Sequence, residues 1–142
     1  MTIIRGGKTV FGASVGVMML ETQFPRIHGD IANAMTWPFP MHYRVVKGAT
    51  PDLVVRNDPR RLVDDFIEVG RELVRMGADG LTTNCGFLAL IQDEVKDALG
   101  VPVATSSLMQ IPMVQALLPA GKRVGVITIS KASLTEDHLK AA

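Results

Sequence analysis

Apolar residues run along this chain in two alternating rhythms. Residues 14–20 (Ser-Val-Gly-Val-Met-Met-Leu) are a compact apolar run suited to a strand buried on both faces. Residues 42–46 alternate weakly and predict a second strand, with Gly48-Ala49-Thr50-Pro51 turning after it. Asp58-Pro59 then supplies an N-cap and a proline at the first helical position. Leu62, Val63, Phe66, Ile67, Gly70, Leu73 and Val74 form one apolar stripe, which Gly77 closes. Asp64, Asp65, Glu68, Arg71, Glu72 and Arg75 make the solvated face of that helix.

The rhythm then repeats. Residues 79–83 predict a short strand, and Phe87, Leu88, Ile91, Val95 and Leu99 fall near helical spacing up to Gly100. Residues 101–105 predict another strand. Residues 106–118 predict a helical segment that Pro112 either starts or kinks, and 119–121 a turn. Residues 123–129 (Arg-Val-Gly-Val-Ile-Thr-Ile) predict one more buried strand, and Thr135 caps a final helix. This alternation places the chain in the α/β class, a mainly parallel sheet with flanking helices. Residues 1–119 are expected to form a first α/β lobe. The strand and unfinished helix of 120–142 look like the first unit of a truncated second lobe.

One segment breaks the pattern. Residues 21–41 carry Pro25, Gly29, Pro38 and Pro40 with His28, Asp30, Asn33 and Trp37. A short helix is expected at 29–35. A long loop holding the only Trp reads as a packed lid or interface segment.

Composition narrows the function classes. The 142 residues are 47% hydrophobic, enough for one domain or one domain plus the beginning of another. A net charge of +1 with scattered Lys and Arg excludes a basic patch for nucleic acid or an anionic membrane. The opening residues lack a secretory pattern, and the apolar stretch 10–20 is too short to span a bilayer. A single cysteine excludes an internal disulfide and fits a reducing cytosol, so a cytoplasmic protein is expected. Gly121-Lys122-Arg123 lacks Walker spacing, no dinucleotide fingerprint is present, and the three histidines have no metal-site spacing. No cofactor or metal is implied.

That leaves Cys85, within Thr82-Thr83-Asn84-Cys85-Gly86-Phe87, where a strand is expected to run into a helix. Free backbone N–H groups and the helix dipole at such a junction lower a thiol's pKa. Asn84 and Gly86 let a ligand approach the backbone closely. The other reading is a buried structural cysteine. Ser106 and Ser107 follow the next strand and would share its sheet edge with Cys85, as substrate contacts or as a helix cap. Thr22, after the first strand, is a similar candidate.

Asp79-Gly80-Leu81-Thr82-Thr83-Asn84-Cys85-Gly86-Phe87, then Val101-Pro102-Val103, then Gly121-Lys122-Arg123-Val124-Gly125-Val126-Ile127-Thr128 resemble the aspartate/glutamate racemase superfamily, which includes hydantoin racemases and arylmalonate decarboxylases. The resemblance covers most of the chain from about residue 60 and fits the first strand. It implies a flavodoxin-like lobe of a pseudo-symmetric two-lobe fold, with a cysteine from each lobe facing the substrate's α-carbon. It further implies a cofactor-independent racemase or isomerase of amino acids or related small carboxylates, with Cys85 catalytic. Backbone N–H groups of Gly86 and Phe87, with the Thr83 and Asn84 side chains, would cradle the developing enediolate. Thr128 would face the cleft from the second lobe. Where relatives often carry a hydroxyl after the cysteine, this chain has Gly86, which puts the substrate's identity in doubt. The alternatives are a cysteine-dependent decarboxylase or cis-trans isomerase on the same scaffold, or a non-catalytic lobe that captures a small carboxylate. One thiol does not suffice for two-base inversion within these residues. An apolar lobe face left exposed would favour self-association into a homo-oligomer.

Overall fold

Four parallel strands build the sheet: β1 (Val15–Met19), β2 (Met41–Val45), β3 (Gly80–Thr83) and β4 (Val103–Ala104), in the order β2-β1-β3-β4. Val15 is in register with Met41 on one side and Gly80 on the other, and Leu81 with Val103. The computed structural model describes residues 6, 7, 9, 12 and 14–142. The opening residues 1–5 and 8, and Val10, Phe11 and Ala13 of the first apolar stretch, lie outside the described residues. The α/β class with a parallel, helix-flanked sheet expected from the alternation is the architecture observed.

The helices are α1 (Val63–Met76), α2 (Gln92–Leu99), α3 (Ile111–Leu117) and α4 (Glu136–Lys140). Asp58 accepts from the Arg60 N–H and Pro59 opens a 3-10 turn, Pro59–Leu62, that leads into α1. Gly77 ends α1 in the left-handed conformation, φ 114°, its N–H donating to Leu73 and Val74 carbonyls. Phe66 and Leu73 are fully buried on the inner face, each worth roughly 1.5–3 kcal/mol of burial. β1 is central and its Val17 and Met18 are sealed from solvent, which explains its continuous apolar run. Gly16 allows α1 to approach: a Cβ there would sit 3.1 Å from Leu73 Cβ and 2.6 Å from Leu81 Cδ2.

Several expectations change. The helix expected from residue 87 begins as a 3-10 segment, Gly86–Ile91, whose Phe87, Leu88, Ala89 and Ile91 are all buried, and becomes α-helical only at Gln92. Ser107–Gln110 is likewise 3-10, and Pro112 lies in the first turn of α3, so it starts that helix rather than kinking it. The short helix expected at 29–35 reduces to the 3-10 turn Ala34–Thr36, because Pro25, Gly29 and Pro38 leave no run long enough to propagate. A π-helical turn, Asp52–Arg56, was not legible beyond the preceding turn. The strand expected at 123–129 is not formed: Ile127 and Ile129 are 102% and 84% exposed, and no strand pairs with them among the described residues. An apolar run becomes a strand only where an edge accepts its ladder. Here the Gln115 amide takes the Lys122 carbonyl (3.0 Å) and the Val124 N–H (3.0 Å) instead. No helix among the described residues is long and apolar enough to cross a membrane.

Candidate functional site

Strand order sets where a ligand can bind. The sheet grows one way from β1 to β2 and the other way from β1 through β3 to β4. In such sheets the crevice lies beyond the carboxyl ends of the strands at the switch point, here between β1 and β3. Leu20 and Thr22 follow β1, and Asn84 and Cys85 follow β3. A cavity of about 370 Å³ opens there, lined by these four residues together with Gly86, Phe87, Ser107 and Thr128. A second cavity, about 460 Å³, lies alongside and shares Asn84, Cys85, Gly86 and Ser107, adding Thr83 and Ser106.

Cys85 occupies the N-cap of the 3-10 segment in an extended conformation and is half-buried. Burial pushes its thiol pKa up, while the Phe87 N–H and the Arg26 guanidinium pull it back in part. The lowered pKa expected from a helix start is therefore reversed: desolvation outweighs the backbone N–H groups. Asn84 Oδ1 accepts from the Leu20 N–H at 2.8 Å, which sets the amide's orientation. Its Nδ2 is buried without a hydrogen-bond partner among the described residues, on a residue that lines both cavities.

The other candidates divide by what their polar atoms do. Thr83 Oγ1 donates to the Thr105 carbonyl at 2.7 Å and accepts weakly from the Cys85 N–H at 3.4 Å. Its hydroxyl is committed to joining β3 to the chain after β4. Ser106 Oγ accepts from the Leu108 N–H at 3.1 Å and so caps the following turn. A Cβ on Gly86 would sit 3.3 Å from that Oγ, so the backbone comes close to Ser106 there. Ser107 is exposed and lines both cavities. Thr22 reaches the cavity, but its Oγ1 accepts from Arg26 Nη2 at 2.9 Å. Thr128 lines the cavity from the unpaired segment rather than from a strand end.

The wall also includes Phe24, Arg26 and Asp30, from the loop after β1, none of which the sequence marked as a site residue. Loops carry no periodicity, so nothing in the local pattern marks these residues. That loop is ordered by its own contacts: Trp37 Nε1 and the Tyr43 hydroxyl both donate to the Ile31 carbonyl. His28 and His42 lie away from the cavity. His138, buried, accepts at Nδ1 from the Thr135 N–H and stacks edge-on against Phe87 at 5.2 Å. Among the described residues no group of three or more His, Cys, Asp or Glu could hold a metal ion.

No family model matches the chain. It is similar to dimethylsulfoniopropionate lyase 7 of Emiliania huxleyi (strain CCMP1516), 31% identical over 85% of this chain and 36% of that protein. Dimethylsulfoniopropionate lyase 3 of the same organism is 30% identical over 85% of this chain and 32% of its own length. Dimethylsulfoniopropionate lyase of Durusdinium sp. clade D is 24% identical over 89% of this chain and 42% of its own length. A solved structure of unliganded arylmalonate decarboxylase is similar at a TM-score of 0.47 and 12% identity, over 74% of this chain and 47% of that one. The chain thus spans about a third of the length of the curated lyases it matches.

Proposed function

We propose that Cys85 is the base of an enzyme that removes the α-proton of a small carboxylate, and that the reaction is β-elimination from dimethylsulfoniopropionate or a close analogue. The observation that carries this is the position of the one thiol, at the β1/β3 switch point in a cavity beside a buried, unpartnered amide donor. The likeness to dimethylsulfoniopropionate lyases supports the substrate class.

The chemistry suits the groups present. The Cys85 thiolate takes the proton from the carbon next to the carboxylate. Charge develops on the carboxylate oxygens, where the Asn84 Nδ2 donor and the Gly86 and Phe87 N–H groups would stabilise it. The electron pair then forms the carbon–carbon double bond as the carbon–sulfur bond breaks, releasing neutral dimethyl sulfide and acrylate. A sulfonium leaves without protonation, so one base is enough. Racemisation shares the first step but needs a second acid on the opposite face. In this reading 120–142 begins a second lobe that would close the cavity, and Ser107 and Thr128 contact the substrate.

The test is to incubate the chain with dimethylsulfoniopropionate and measure headspace dimethyl sulfide and acrylate. Equimolar products are expected, falling roughly 100-fold or more in Cys85→Ser, as for loss of a general base. Unchanged release in a folded Cys85→Ser variant would overturn the assignment of the base. Exchange of α-protons on amino acids with deuterated solvent, without elimination, would favour the racemase reading.

A further inference from the structure

The loop after β1 turns a guanidinium toward the Cys85 cavity. Arg26, its side chain 15% exposed, donates through Nη1 to both Asp30 carboxylate oxygens at 3.1 Å and through Nη2 to Thr22 Oγ1 at 2.9 Å. Its guanidinium carbon lies 4.6 Å from the centroid of the Phe24 ring. All four residues line the cavity with Cys85. The Arg26 carbonyl separately accepts from Asn33 Nδ2 at 2.9 Å, a tie within the loop that does not use the side chain. Among the described residues these contacts use at most three of the five N–H groups of Arg26.

A guanidinium so far removed from water is costly unless paired, and Asp30 pairs it. A planar fork held on three sides, with donors left over, is built for a carboxylate. The buried Nδ2 of Asn84 independently offers an anion a second donor. We infer that Arg26 is the carboxylate anchor of the Cys85 cavity, and that Asp30 sets its strength by competing with the ligand. This rests on the reading of the cavity as a carboxylate site, and it gives that site its specificity: small anions are oriented with the carbon next to the carboxylate at the thiol. The same positive charge acts on Cys85, favouring its thiolate.

Alkylation of Cys85 tests this without turnover. Iodoacetate and iodoacetamide alkylate the Sγ thiolate by the same displacement of iodide and add two-carbon groups of similar size, carboxymethyl and carbamidomethyl, of which only the first carries a carboxylate. The ratio of their rates, referenced to a small free thiol, is expected to favour iodoacetate about tenfold, the worth of one charge-assisted hydrogen bond. Arg26→Met is expected to remove the preference, Arg26→Lys to keep part of it, and Asp30→Asn to increase it. A purely structural ion pair would lower the ratio in both Arg26→Met and Asp30→Asn, and that result overturns the proposal. An unchanged ratio in all variants overturns it too. An Arg26-dependent ratio without dimethyl sulfide release would uphold the anchor while the lyase reading fails. The converse would remove the anchor alone.

Discussion

The Leu20 N–H donates to Asn84 Oδ1 at 2.8 Å, so the chain leaving β1 is tied to the residue before the cysteine. That bond spans 64 positions in sequence and joins the two walls of the switch-point crevice. It also leaves the other half of the amide, Nδ2, buried and without a partner among the described residues, a cost of roughly 1–3 kcal/mol unless a ligand or water accepts from it.

Asn84→Asp keeps the acceptor for Leu20 and removes the donor. The expected outcome is a folded protein whose turnover falls roughly 100-fold to 1,000-fold, as when one donor to a developing oxyanion is lost. Thermal melting beside dimethyl sulfide release checks it. A variant that melts normally and turns over normally shows that Nδ2 does not meet the substrate.

Burial holds the Cys85 thiol above its ordinary pKa, with the Phe87 N–H and Arg26 opposing. A raised pKa leaves less thiolate at neutral pH. Iodoacetamide alkylation of Cys85 should therefore climb about tenfold per pH unit through pH 7 and 8, with no plateau below the ordinary value of about 8.5. A plateau near neutrality would mean that the backbone N–H groups outweigh desolvation.

Gln92, the first residue of α2 and 4% exposed, fastens the chain around β4. Its Nε2 donates to the Val103 carbonyl at 2.9 Å, and its Oε1 accepts from the Thr105 N–H at 2.9 Å and the Thr105 hydroxyl at 2.7 Å. Gln92→Met preserves the volume but orphans these buried groups. A loss of about 3 kcal/mol in urea unfolding is expected.

His138 is held below its ordinary pKa by burial first; Asp137 works against this and Arg60 with it. The unfolded chain therefore takes up the proton first, near pH 6.5. Stability from this group is full above that value and is lost as pH falls through the lower folded pKa. The melting temperature should drop between pH 7 and pH 5, and less so in His138→Asn. Equal slopes in the two proteins would exclude His138 as the source.

Local chemistry was legible where it acts over a few residues. Asp58-Pro59 and Gly77 mark the ends of the long helical segment because caps and left-handed glycines need only adjacent backbone. Cys85 reads as the residue between strand and helix for the same reason. Ser106 shows the limit of such reading. Its hydroxyl was open between substrate contact and cap, and the Leu108 N–H takes it. Thr83 is similar, since its partner Thr105 is 22 positions away.

Periodicity and capping are encoded within short windows, and they settle the α/β alternation, the parallel strands and the placement of one thiol at a strand end. Tertiary structure alone decided what surrounds that thiol. It brought Arg26 and Asp30 from a loop without periodicity into the cavity, and it reversed the expected direction of the Cys85 pKa. It also left 123–129 outside the sheet among the described residues. The reason is common to all three: pairing and desolvation depend on which distant residues arrive, and no local pattern records that.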